Sequence, residues 1–224
     1  MALQVEVTVD PAQAKGRPDE PDPLACQMSA SFARILVPAE GYFPAGSVLH
    51  ELLHLRRVLV EGVPRLVVAD ALSDELWSPR LVDSLVAQDN ALEHLVIVPR
   101  EMDLLPERRD YWEAKMVRVW GDLAAGMGSP ADRREAALAN WFFLRHVLPG
   151  SPSTETAETV LASLGLIEAA EASVAQMSTV LSDKVALTSA WFEVAGIDRG
   201  LADFEYFDSR AGTTRRIPMA SPAG

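Results

Sequence analysis

From Ser78 to Val194 the apolar residues recur at helical spacing, in runs that prolines and glycines interrupt. Each such run can bury one stripe, so a chain dominated by them has to pack helix on helix or helix on sheet. The first run, "SPRLVDSLVAQDNALEHLVIV" (78–98), has Ser78 as N-cap and Pro79 at the first helical position, and Pro99 is expected to end it. Further helices are expected from Arg108 to Ala125, Pro130 to Val147, Thr154 to Gly165 and Leu166 to Val194. The N-terminal part reads differently. Residues 3–9, "LQVEVTV", alternate like a strand, residues 10–25 hold four prolines and read as a loop, and Ala33 to Val37 form a second strand before Pro38. Residues 65–69 suit a short strand or a helix turn. The tail from Gly196 carries Phe204, Tyr206 and Phe207, which are expected to pack back, with the last ten residues loose. The expected fold class is α+β, mostly helical, with a small N-terminal sheet. Residues 1–105 are expected to form a core that holds the sheet, and 106–224 a helical part packed on it without independence.

Charge and cysteine content narrow the partners. The net charge of −12 repels a phosphate backbone, and the pairs Arg56-Arg57, Arg108-Arg109, Arg133-Arg134 and Arg215-Arg216 read as helix edges or salt-bridging groups. The single Cys26 has no intrachain partner for a disulfide, which fits a reducing compartment. No apolar stretch approaches the ~20 residues of a membrane span. The expectation is a cytoplasmic enzyme with neither nucleic acid nor membrane as partner. Oligomeric state is left open.

One short motif carries chemistry. "GSVLHELLHLRR" (46–57) contains His50-Glu51-Leu52-Leu53-His54, the spacing H-E-x-x-H. Ser47 is expected to cap a helix from Val48 to Val60 that Gly62 and Pro64 stop. Positions i and i+4 share one helix face, so His50 and His54 can present two imidazole nitrogens to one zinc ion. Glu51 leaves the same turn sideways, within reach of a water proton without binding the metal. Leu49, Leu52, Leu53 and Leu55 surround the motif, which implies burial, and buried unpaired histidines would be costly.

A catalytic zinc needs a third protein ligand, and the 78–98 helix is the expected source. At 100° per residue, Leu81, Val82, Leu85, Val86, Leu92, Leu95 and Val96 gather on one face, with Asp89 and Glu93 inside it. Carboxylates in an apolar stripe need a partner. Glu93 is therefore the first choice as third ligand, with Asp89 orienting a ligand histidine through its other ring nitrogen. His94, at the outer side of that face, is the rival, and Asp89 as ligand is the third option.

His50-Glu51-x-x-His54 followed by a glutamate on a later helix resembles the gluzincin arrangement of zinc metallopeptidases. The second helix, running into "LVIVPRE" (95–101), makes residues 31–101 similar to short bacterial zincins that cleave phage or stress repressors. The order "DNALEH" is not theirs, and no DNA-reading domain is recognisable. The resemblance implies a zincin-like core in residues 1–105, a Zn2+ cofactor, a protein or peptide substrate and Glu51 as general base. In zincins the strand before the motif helix takes the substrate as an added strand, here 33–37. Candidate donors to a tetrahedral oxyanion are His146, Tyr111, Arg100 and Tyr206. His146 reads first as a helix-end histidine. Cys26 reads as a small hydrophobe or exposed thiol in preference to an inhibitory thiolate, and Trp141-Phe142-Phe143 reads as core. The competing functions are a catalytically silent zincin-like protein and an all-helical interaction protein, in regulation or defence.

Overall fold

The computed structural model describes residues 4–12, 24–29 and 32–219. The middle of the expected proline-rich loop (13–23) and the end of the tail (220–224) lie outside the described residues. Those described form seven α-helices and two three-stranded sheets, an α+β fold that is mostly helical. They group into two compact units, residues 1–86 with 200–224, and residues 87–199.

The first unit holds both sheets. Strands β1 (Val5–Val9), β2 (Ala25–Met28) and β3 (Ala33–Val37) lie in the order β1-β3-β2. β3 runs parallel to β1 and antiparallel to β2, so that both Val7 and Cys26 pair with Ile35. Helix α1 (Ala45–Leu59) packs against β2 and β3, and Ala33, Ile35, Val37, Leu55, Val58 and Leu59 form one buried cluster. Removing the side chain of a buried leucine from such a cluster costs about 2–5 kcal/mol, so this packing fixes the face that α1 turns to the sheet.

Two expectations change here. Ser47 does not cap α1 but is buried inside it; the helix begins earlier, with Pro44 at the cap and Val48 N–H donating to Pro44 O at 3.0 Å. β3 is the central strand, with both backbone edges already paired, so residues 33–37 cannot accept an added substrate strand. At its other end α1 stops at Gly62, whose φ of +70° suits glycine, while Arg56 and Arg57 in its last turn pair with Glu61.

Residues 65–69 resolve as strand β4 (Arg65–Val68). It pairs antiparallel with β5 (Ala202–Asp208), which pairs in turn with β6 (Thr213–Pro218). Phe204 packs back as expected and is buried. Residues 215–218, within the last ten that were expected to be loose, belong to this edge strand instead, because β5 offers them an antiparallel ladder.

The second unit is helical. Helix α2 (Pro79–Leu104) enters it at residue 87 and is followed by α3 (Arg108–Ala124), α4 (Pro130–Val147), α5 (Ser153–Ser163), α6 (Ile167–Ser178) and α7 (Lys184–Ala195). The core expected at Trp141, Phe142 and Phe143 is buried, whereas Val86 of the expected apolar face of α2 is exposed. The single helix expected over 166–194 is two. Asp183 ends the break between them, its carboxylate accepting from the N–H groups of Val185 and Ala186 at 3.0 and 3.1 Å. An aspartate cap starts a new helix by satisfying donors that an uninterrupted helix would already have bonded.

Pro99 does not end α2, which continues for five more residues to Leu104. A proline inside a helix leaves the carbonyl four residues earlier without its N–H donor. That carbonyl is Leu95 O, and the His146 ring hydrogen-bonds to it. The imidazole donor thus replaces the missing backbone donor and lets the helix run through Pro99. Among the described residues no single helix is long and apolar enough to cross a membrane; α5 and α6 reach that length and apolarity only together, across a bend of 119°.

Candidate metal centre

On α1, His50 and His54 sit one turn apart with ring centroids 4.9 Å from each other and planes at 81°. The i,i+4 spacing fixes this neighbourhood, and the packing of Leu53, Leu55, Val58 and Leu59 fixes the rotation of the helix. Glu51 is half-buried on the adjoining side. There it meets Cys26 of β2, whose thiol hydrogen-bonds to its carboxylate. Burial first, and then the Glu51 charge and this hydrogen bond, push the Cys26 thiol well up against the opposing effect of Arg65. Cys26 is a partly buried member of the sheet-facing core, close to the small-hydrophobe reading, with an added polar contact that the sequence did not disclose.

The carboxylates expected to complete a metal site are engaged elsewhere. Lys184, at the first position of α7 and only 5% exposed, places Nζ 2.7 Å from Asp89 Oδ1 and 3.0 Å from Glu93 Oε1. It also donates to the Asp89 backbone carbonyl at 3.2 Å. Burial alone would lower the Lys184 pKa; the two carboxylates outweigh it and hold the ammonium above the ordinary lysine value. The apolar stripe of α2 does give its acids a cationic partner, and that partner is a lysine. A sequence signal existed: Lys184 is the lone cation of "DKVALTSAWF", a strongly apolar segment, where an unpaired ammonium would be untenable.

His94, the rival third ligand, is half-buried on α2. Its orientation is set by its neighbours on α3. The His94 ring packs edge-on to Trp112 at 5.2 Å, Trp112 packs on Phe143 at 5.4 Å, and the indole N–H donates to Glu101 Oε2 at 3.2 Å. Glu101 is fully buried and is neutralised by Arg108. An ion pair at the corner of α2 and α3 thereby anchors the indole that steers His94.

Imidazole nitrogen is a ligand that zinc accepts at about 2.0–2.1 Å, and the i,i+4 pair His50 and His54 offers two of them from one helix face.

The expected oxyanion donors have other contacts in the structure. His146 is spent on Leu95 O, Tyr111 lies under the Arg108 guanidinium at 3.9 Å, and Tyr206 lies beneath Arg215 at 5.3 Å. Arg100 is exposed. The chain matches no protein-family model, no curated protein and no solved structure.

Proposed function

We propose that this chain is a zinc-dependent hydrolase of peptide bonds, with His50, His54 and His94 as metal ligands and Glu51 as general base. The observation that carries the reading is the pair His50 and His54 flanking Glu51 on one helix face in the H-E-x-x-H spacing, with ring centroids 4.9 Å apart; Asp89 and Glu93 are spent on Lys184, which favours His94 as the third ligand. When bound, zinc supplies a Lewis acid that acidifies water and polarises a carbonyl.

The protein's own groups do the rest. His50, His54 and His94 would hold the ion through their ring nitrogens. Glu51 accepts a proton from the attacking water as the new C–O bond forms, then delivers it to the amine nitrogen as the C–N bond breaks. Asp89 and Glu93 stand apart from this chemistry, as partners of Lys184. An extended substrate fits the edge strand β2, because β3 is enclosed and β2 lies against the motif helix. The substrate class is a protein or peptide that offers an extended segment.

Metal analysis of purified protein tests the reading. The expected result is one zinc per chain, lost in His54→Ala and in His94→Ala and kept in Glu51→Gln and Glu93→Gln. Glu51→Gln should retain the metal while losing cleavage of a mixed peptide pool. Absence of stoichiometric zinc, or zinc retained by His94→Ala, would refute the assignment. Cleavage undiminished in Glu51→Gln would leave a metal-binding protein of another function.

A further inference from the structure

Strand β1 is a sheet edge with a regular open side. Among the described residues it pairs with β3 alone, in parallel register from Val5↔Ala33 to Val9↔Val37. Just past it, Asp10 N–H donates to Val37 O at 2.8 Å. Backbone groups alternate sides along a strand, so Thr8 and Glu6 share the side of Asp10, toward β3. The other edge of β3 agrees. Ser29 N–H donates to Phe32 O at 2.9 Å, which assigns the even residues of β3 to β2 and leaves the odd ones, Val37 included, to β1. Val5, Val7 and Val9 therefore turn N–H and C=O to the open edge. Their side chains share the face of Ala33, Ile35 and Val37, where Val5 packs on the buried cluster while Val7 is 50% and Val9 45% exposed.

We propose that β1 is a dimerisation edge and that its occupant is β1 of a second copy, antiparallel about a two-fold axis at Val7. Register and charge select this occupant. With Val7 opposite its own image, Val5 meets Val9, and each such pair exchanges both N–H···O bonds, so the outward backbone groups are satisfied. On the other face Glu6 meets Thr8, whose hydroxyl is a donor for the carboxylate, and Gln4 meets Asp10. Sliding by one residue sets each valine opposite a residue whose backbone groups point inward. Sliding by two sets Glu6 on Glu6, or Glu6 on Asp10, like charges directly opposed. The strand is thus complementary to itself in one register. The pairing joins two three-stranded sheets into one, packs half-exposed valines on each other and leaves the β2 edge of each copy open. A contact of this length lies at the small end of specific interfaces, so dimerisation is expected in the micromolar range.

Sedimentation equilibrium of the full chain, from low to high micromolar concentration, tests the proposal. Wild type should show a reversible monomer–dimer equilibrium. Val7→Lys and Val7→Glu each set like charges across the axis and should weaken dimerisation by on the order of ten-fold or more. An equimolar mixture of the two should recover a dimer, because a contact of position 7 with its own image then pairs opposite charges. Val7→Pro should be monomeric as well, since the N–H it removes belongs to the open edge and not to the ladder with β3. Native circular dichroism is required of each variant. If the charged variants do not fold, Val7→Pro decides alone. A wild type that stays monomeric throughout overturns the proposal, and the edge is then left to solvent or to a strand of another protein. A dimer indifferent to Val7→Lys or to Val7→Pro uses another face and overturns it too. A mixture that stays monomeric overturns the axis at Val7, and open-ended assembly overturns the two-fold pairing.

Discussion

Lys184 Nζ lies 3.0 Å from Glu93 Oε1, and the two side chains are almost wholly removed from water. With Asp89 on the same ammonium, two acids of α2 are tied to the first turn of α7, 95 residues further along the chain. Breaking a buried pair by removing one partner is far costlier than the pair is worth, because the other charge is left stranded.

Lys184→Met should therefore destabilise the protein by about 3–5 kcal/mol, read from the midpoint of urea unfolding. The pH dependence has a definite sign. The folded pKa of Lys184 is raised, so its contribution is fully present below the unfolded value of about 10.4 and is lost as pH rises through the folded one. Wild type should lose stability in that alkaline window by a step that Lys184→Met lacks. A variant as stable as wild type at neutral pH would show that the acids have another cation.

The same pair explains how far the sequence could be read. Helical periodicity placed Glu93 and Asp89 in an apolar stripe and required a counter-charge, and both inferences hold. Periodicity along one helix says nothing about which distant side chain answers that requirement. A zinc ion and the ammonium of Lys184 satisfy it equally from the viewpoint of α2. His94 is the next residue, about 100° round, and local spacing cannot decide which of the two neighbours Lys184 engages. The motif itself was legible because i,i+4 is a local rule, as was α4, bounded by Pro130 and the Pro149-Gly150 turn. β2, β5 and β6 were not read as strands, since short strands exist through partners that lie far away in the sequence.

Pro99 and His146 should behave as one unit. His146→Ala leaves Leu95 O without a donor inside the helix bundle, at a cost of about 1–3 kcal/mol. Pro99→Ala restores a backbone N–H at that carbonyl, so the double variant should recover part of the loss, a coupling visible in a double-mutant cycle. Burial lowers the His146 pKa, outweighing the Leu95 hydrogen bond that raises it. With its folded value depressed, the contribution of His146 is present above the unfolded value near 6.5 and is lost as pH falls through the folded one. Additive losses in the cycle would mean that the ring and the proline act separately.

Arg108 neutralises Glu101, which holds the Trp112 indole, which in turn packs on His94. Arg108→Met should cost about 3–5 kcal/mol for the stranded carboxylate. The milder Glu101→Gln keeps an acceptor for the indole N–H and should preserve Trp112 and zinc binding. Glu101→Leu removes that acceptor and should lower zinc affinity by on the order of ten-fold. Zinc titration of the two Glu101 variants, each checked for folding, separates them. Equal affinities would mean that Trp112 does not steer His94.

Zinc bound only by the folded chain should raise stability by mass action, about 2.7 kcal/mol at a free concentration one hundred times Kd. For a protein of this size that is a rise of about 5–10 °C in unfolding temperature, reversed by a chelator. The quantity to compare is the zinc-dependent increment, since substitutions at buried positions also shift the metal-free protein. Glu93→Gln weakens the Lys184 pair and should lower the metal-free unfolding temperature, yet keep the full increment. His94→Ala should do the reverse, changing the metal-free protein little and abolishing the increment. If Glu93→Gln loses the increment while His94→Ala keeps it, zinc is held through the carboxylate, and the pairing with Lys184 must give way when metal binds.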